Sequence, residues 1–250
     1  MRRVLLIVAL LVLMCAGHAR GEAIIAVTEE WPPYTFTEDG EIKGFVSEIV
    51  HEVLDRSGLE HKIEVYPFAR SYETARQQPY VLLYPVFRLP VREDDFQWIK
   101  IEGLAVTMSL FRPEWRDIEI KSLEEAKLYR IGVTRETSTH HFLRSKGFKE
   151  NVNLFPVNCE QQNTLKSAPE TMRIDMTTGD PRSLACWLRH AKLPEDYWVE
   201  VFPLFKEDIY MAFGHATPPA TVEKVRRALQ ALEAEGRLDE IIVKHCKIYR

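Results

Sequence analysis

The chain has 250 residues, enough for one large domain or two small ones, and 46% of them are hydrophobic, so either arrangement can bury a core. Its formal net charge is −4, and no basic stripe interleaved with aromatic residues occurs, which excludes a protein built to coat nucleic acid.

The first residues stand apart from the fold. Arg2 and Arg3 precede an unbroken apolar run from Val4 to Ala16, and small residues at Gly17, Ala19 and Gly21 offer cleavage spacing. This reads as a signal peptide over residues 1–21, too short for a comfortable membrane span, and predicts an exported, periplasmic protein. A lipoprotein would need a small residue before Cys15, where Met14 stands. An uncleaved anchor is the alternative. Cleavage removes Arg2, Arg3 and Arg20, so Lys+Arg falls from 33 to 30 against 37 acids, and the charge moves from −4 to −7. Cys159, Cys186 and Cys246 remain. Export permits disulfides, an odd count leaves at least one thiol unpaired within the chain, and Cys159 with Cys186 is the expected pair. No CxxC or Cys/His cluster suggests a metal, and no cofactor is expected.

Ile24 to Val27 reads as a strand, followed by Thr28-Glu29-Glu30-Trp31-Pro32-Pro33-Tyr34, where the prolines force an extended path and hold Trp31 and Tyr34 on a loop. Asp39-Gly40 marks a turn. Phe45, Ile49, Val53 and Leu54 fall on one helical face that ends at Gly58, and Ile63 to Tyr66 is a second strand. This is the grammar of an α/β sheet with a ligand site beyond the strand ends. Pro67 to Gln78 is a short helical segment carrying Arg70, and the apolar run Tyr80 to Phe87 is a strand. Phe87 to Trp98 then forms a polar loop and returns to a strand. A planar guanidinium on such a loop suits bidentate capture of a carboxylate, which makes Arg92 a candidate ligand contact. The alternative is a solvated arginine paired with Glu93, Asp94 or Asp95.

Leu104 to Phe111 is a further apolar stretch, broken by Arg112-Pro113. Ser122-Leu123-Glu124-Glu125 is a capping-box sequence. Strands are predicted at Arg130 to Val133, Leu154 to Val157 and Arg173 to Thr177. One helix opens at Thr137-Ser138 and ends near Gly147; another opens at Asp180-Pro181 and runs to His190. Free amides at the first helix start favour an anion, while Thr137 or Ser138 also suits a simple cap. Asp180 before Pro181 is equally suited to capping or ligand contact. His140 and His141 are adjacent, point different ways on a helix, and read as surface residues. Val201 to Phe205 and Ile209 to Phe213 are apolar, and the tail from Pro218 is helical in two pieces divided at Gly236.

Trp31-Pro32-Pro33-Tyr34, Gly44-Phe45, Arg88-Leu89-Pro90-Val91-Arg92-Glu93, Ile131-Gly132-Val133 with Thr137-Ser138, Arg173-Ile174-Asp175 with Asp180, and the Leu229 to Leu238 helix stand in this order. In that order and spacing the chain resembles the family 3 extracellular solute-binding proteins of bacterial transport systems. The resemblance implies the type II periplasmic binding protein fold: α/β, two lobes, a hinge of two crossing segments near Ala105 to Phe111 and Val201 to Phe205, and a ligand cleft between the lobes. Lobe 1 would comprise residues 22–106 and 204–250, and lobe 2 residues 107–203.

The resemblance also implies site roles. Arg92 sits where a Thr-x-x-Arg loop grips the ligand carboxylate, with Leu89 in place of the threonine. Glu136-Thr137-Ser138 replaces a Gly-Ser/Thr-Thr element serving the same carboxylate. Asp180 occupies the position that receives the ligand ammonium, and Trp31 that of the aromatic covering the ligand; Tyr34 and Arg70 are further ligand-binding candidates. The expected function is capture of a small polar, amino-acid-like or carboxylate-bearing ligand by lobe closure, for the permease of an ABC-type transporter, by a monomer that binds no nucleic acid. A soluble sensor for a membrane receptor and a dehydratase-like enzyme of the same fold are the alternatives. No GxSxG, HExxH or nucleotide loop supports catalysis.

Overall fold

The structure is a computed structural model and describes residues 23–158, 160–169 and 171–248. The expected signal peptide lies outside the described residues, as does Cys159 and with it the expected Cys159–Cys186 pairing.

Strand β1 (Ile24–Thr28) leads through the Trp31–Tyr34 loop and a small hairpin, β2 (Phe36–Glu38) and β3 (Glu41–Lys43), into helix α1 (Phe45–Ser57). Gly44 sets the entry: its backbone lies at φ 108°, ψ 151°, a region open essentially to glycine, and a Cβ there would sit 2.4 Å from the Tyr34 carbonyl oxygen. Along α1, Phe45, Val46, Ile49, Val50, Val53 and Leu54 are buried on one face, each contributing about 1.5–3 kcal/mol of gross hydrophobic stabilisation. Gly58 closes the helix in the left-handed conformation at φ 68°. Strand β4 (His61–Val65), helix α2 (Phe68–Gln77) and strand β5 (Val81–Phe87) follow. All seven residues of β5 are buried, as expected of a strand covered on both faces.

A 3-10 turn at Pro90–Asp95 carries Arg92 into β6 (Phe96–Pro113). This strand is 18 residues long and joins two runs that the sequence separates at Glu102-Gly103. Its partner β10 (Trp198–Gly214) similarly joins Val201–Phe205 to Ile209–Phe213 across Lys206-Glu207-Asp208. The two strands pair antiparallel along their lengths, so backbone bonds carry the chain through polar interruptions that hydropathy alone reads as breaks.

Between them lie α3 (Leu123–Ala126), β7 (Ile131–Thr134), α4 (Ser138–Ser145), β8 (Leu154–Val157), α5 (Glu160–Ser167), β9 (Met176–Gly179) and α6 (Pro181–Ala191). Strand β9 begins three residues later than the predicted Arg173. There the Arg173 and Ile174 amides donate instead to the Lys166 carbonyl at the end of α5, at 2.7 and 3.2 Å, which keeps the segment outside the ladder. The sheet order is β4-β1-β5-β10-β6-β9-β7-β8. Parallel triplets β4-β1-β5 and β9-β7-β8 thus flank the central antiparallel pair, and each triplet arises from a strand-helix-strand-helix-strand unit.

Each half has its own apolar core. Val46, Ile49, Leu82 and Ile99 belong to the first, Ile131, Val133, Leu143 and Leu154 to the second. The closing helices α7 (Pro219–Ala234) and α8 (Arg237–Ile248) return to the first half and pack on α1, where Arg237 meets Glu52 at 2.7 Å and Lys244 meets Glu48 at 3.0 Å.

Candidate functional site

The loop after β1 is a tight turn. Trp31 N–H donates to Thr35 O at 2.8 Å, Thr35 N–H returns to Trp31 O at 3.1 Å, and the rings of Trp31 and Tyr34 lie 4.3 Å apart. Beneath it a buried hydroxyl net of Thr28, Thr35, Ser47 and Tyr84 links β1, α1 and β5 at 3.0 to 3.3 Å. The loop is therefore held on a rigid base, and Trp31 packs edge-on against Phe87.

Across the cleft Asp180 caps α6. Its Oδ1 accepts the Arg182 and Ser183 amides, both at 3.1 Å, and also the Tyr34 hydroxyl at 3.0 Å, while Oδ2 accepts Trp31 Nε1–H at 3.1 Å. The cap and the contact to the opposite half are thus one arrangement. Asp180 is only 1% exposed. Burial pushes its carboxyl pKa up, and the converging donors oppose that push. The same burial, followed by the Asp180 charge, raises the Tyr34 phenol well above its ordinary value.

The second bridge is Arg92, 2% exposed between Phe68 and Tyr72, whose ring centres lie 4.9 and 5.1 Å from the guanidinium carbon. Nη2–H donates to the Glu136 carbonyl at 2.8 Å and Nη1–H to Ser138 Oγ at 3.3 Å. Both acceptors are neutral, so the charge of this buried arginine is not cancelled by direct contact. Burial opposes it, while the phenol of Tyr72 and the carboxylates of Glu29, Glu136 and Asp95 favour it from further off. The neighbouring ion pair that the polar loop allowed is made by Arg88, whose Nε–H donates to Glu93 at 2.8 Å.

Glu136 stands where the resemblance places a glycine, and its backbone keeps the left-handed conformation at φ 59°. Its N–H donates to His140 Nδ1 at 3.1 Å, and its Oε2 lies 3.1 Å from His141 Nε2. Thr137 caps α4 by accepting the His140 amide at 3.4 Å. The reading of His140 as a surface residue is corrected: the side chain is 0% exposed, because α4 turns it beneath the Glu136 turn, and His141 is half-buried.

Between these bridges the halves enclose a cavity of about 320 Å³. Trp31, Tyr66, Phe68, Phe87 and Trp187 form its aromatic walls, and Glu29, Thr137, Ser138, Asn158 and Thr178 supply polar groups. Of the sequence candidates, Trp31, Thr137 and Ser138 line the cavity. Arg92 and Asp180 do not line it; Arg92 contacts the lining residues Phe68 and Ser138, and Asp180 contacts Trp31. Tyr34 is buried in the first core. Arg70 is exposed and stacks its guanidinium 3.8 Å from the Tyr66 ring centre. Sequence alone does not single out Glu29, Phe68 or Trp187; the first two border the Trp-Pro-Pro and Pro67 loops, while nothing local marks Trp187.

Comparison with protein families matches residues 23–248 to the bacterial extracellular solute-binding proteins, family 3. No curated protein sequence matches the chain. Among solved structures, it is similar to a histidine kinase sensor domain with similarity to periplasmic binding proteins, at 14% identity over 90% of this chain and 96% of that one, with a TM-score of 0.79. An ancestral arginine-binding protein bound to arginine shares 17% identity over 89% of this chain and 97% of that one, with a TM-score of 0.76. The arginine-, lysine-, histidine-binding protein ArtJ from Geobacillus stearothermophilus shares 14% identity over 89% and 94%, with a TM-score of 0.77. The architecture is the type II periplasmic binding fold: two α/β lobes, two crossing strands and a cleft between.

Proposed function

The chain belongs to the bacterial extracellular solute-binding proteins of family 3, and from that premise we propose that it captures a small amino-acid-like or carboxylate-bearing solute in the periplasm and delivers it to an ABC-type transporter. The observation that carries this reading is the buried charge of Arg92, which meets only a carbonyl and a hydroxyl from the opposite lobe. A carboxylate entering beside Thr137 and Ser138 adds an opposite charge nearer to Arg92 in a desolvated setting, where charge-assisted bonds are strongest. The cavity volume of about 320 Å³ suits a molecule of amino-acid size. Aromatic walls cover an apolar or cationic side chain. A cationic group is served by Glu29 on the wall, with the buried Asp180 carboxylate holding Trp31 in place beside it. Two of the similar solved structures are named as arginine-binding proteins, which supports an amino-acid-like ligand. Bridging both lobes, such a ligand favours the closed form by its differential affinity, and closure is the signal a membrane permease reads.

A thermal-shift screen of amino acids, polyamines and small carboxylates tests the ligand class, since binding to the folded state raises apparent stability. A hit among carboxylate-bearing compounds, with affinity weakened about 100-fold in calorimetry by Arg92→Ala, is the expected result. If only compounds without a carboxylate bind, or Arg92→Ala binds like the parent, the proposal fails.

A further inference from the structure

A second cluster of chemistry lies at the opposite end of the first lobe. Strands β1 and β4 run parallel with Ile24 opposite His61, so His61 sits where the strands begin, whereas the cleft loops follow their other ends at Thr28 and Val65. His51 and Asp55 project from one face of α1, four residues apart. His51 Nδ1 is 3.0 Å from Asp55 Oδ2, and His61 Nε2 is 4.0 Å from Asp55 Oδ1. The carboxylate therefore stands between two imidazoles, and one donor atom from each residue lies within 4.8 Å of the other two.

From this geometry we propose that His51, Asp55 and His61 form a site for a divalent transition metal ion, with zinc the best match. Zinc bound to nitrogen and oxygen at about 2.0–2.2 Å places tetrahedral ligands roughly 3.3–3.5 Å apart. The imidazole nitrogens lie 3.0 Å from Oδ2 and 4.0 Å from Oδ1 of Asp55, and one donor atom from each residue fits within 4.8 Å, so small side-chain rotations reach that spacing. Borderline-soft imidazole selects zinc, copper or nickel over calcium and magnesium.

An independent feature points the same way. His61 Nδ1 lies 3.2 Å from the Leu59 carbonyl, which can only accept, so Nδ1 is the donor there and Nε2 is the nitrogen left facing Asp55. This is the orientation that a backbone carbonyl imposes on metal-ligating histidines. The His61 side chain is 10% exposed and anchored, whereas those of His51 and Asp55 are 59% and 60% exposed and have room to adjust around an ion. Three protein ligands leave a coordination position for water or an external donor. Coordination pins the end of α1 to β4 across the Gly58 turn, apart from the cleft, so the proposal stands independently of the ligand assigned there.

The test titrates Zn²⁺ into untagged protein against a chromophoric chelator and follows the melting temperature in parallel. The expected result is one ion per chain at micromolar affinity with a raised melting temperature. His61→Gln and Asp55→Asn should each weaken binding by about tenfold or more. Circular dichroism verifies that these variants are folded, and Cys186→Ala, which alters a thiol elsewhere, should bind as the parent does. Absence of stoichiometric binding, or equal binding by the His51→Ala/His61→Gln double variant, overturns the proposal.

Discussion

The indole Nε1–H of Trp31 donates to Oδ2 of Asp180 at 3.1 Å, joining residues 149 positions apart in the chain and on opposite lobes. The Tyr34 hydroxyl takes the other oxygen of the same carboxylate at 3.0 Å. Closure of the cleft is thus coupled to the capping of α6. Asp180→Ala removes the cap and both cross-lobe bonds and is expected to lower stability by about 1–3 kcal/mol in urea denaturation. Trp31→Phe, which keeps an aromatic ring and loses only the donor, should cost clearly less. Equal losses in the two variants would contradict the coupling.

The Gly44 entry to α1 positions the Trp31 loop. With a Cβ placed 2.4 Å from the Tyr34 carbonyl and φ at 108°, Gly44→Ala faces both a backbone clash and a disallowed conformation. A loss of more than about 2 kcal/mol is expected, together with weakened ligand binding, because the Tyr34 backbone must move. A midpoint within experimental error of the parent would show that the loop yields freely.

Glu136 keeps a left-handed backbone at φ 59° that costs an L-residue about 1 kcal/mol relative to glycine. Its side chain also meets His141 at 3.1 Å, so comparison with the parent mixes two effects. Glu136→Gly and Glu136→Ala lose that contact equally. Their difference, expected at about 1 kcal/mol in favour of glycine, isolates the backbone contribution and is read from paired denaturation curves.

Burial lowers the pKa of His140 from its ordinary 6.5, against the opposing pull of Glu136 and Glu150 and with the help of Arg144. Below pH 6.5 and above the folded-state value, the unfolded chain binds more protons at this position than the folded one. Stability therefore rises with pH through that window and is lost on acidification. His141 shifts in the same direction, while the raised pKa of buried Asp180 acts with the opposite sign. Denaturation midpoints between about pH 7 and 5 should fall less steeply in His140→Asn than in the parent. Identical slopes would remove His140 from the acid response.

Much of the candidate site is legible in sequence because its residues sit at chain punctuation. The Trp31–Tyr34 loop is marked by adjacent prolines, Asp180 by the proline that follows it, and Thr137-Ser138 by the start of a helical period. Arg92 stood on a loop whose acids offered an obvious alternative; three-dimensional packing gave Glu93 to Arg88 and Arg92 to the far lobe. Adjacent histidines on a helix carry no burial signal of their own, so the burial of His140 depends on how α4 seats under the Glu136 turn. The sequence does not mark the His51, Asp55 and His61 cluster for a related reason: His51 and Asp55 share a helical face, but His61 meets them only through the path of the chain across the Gly58 turn into β4.

Local chemistry determined where many of the helices and the outer parallel strands begin and end, since apolar periodicity, glycines and prolines act within a few residues. It also determined the order of motifs by which the family is recognised. Tertiary structure alone decided that β6 and β10 run unbroken through their polar interruptions, because their cross-strand hydrogen bonds come from residues about a hundred positions away. It decided, too, that Trp31 and Asp180 face each other across a closed cleft, a contact whose energy depends on burial supplied by both lobes together.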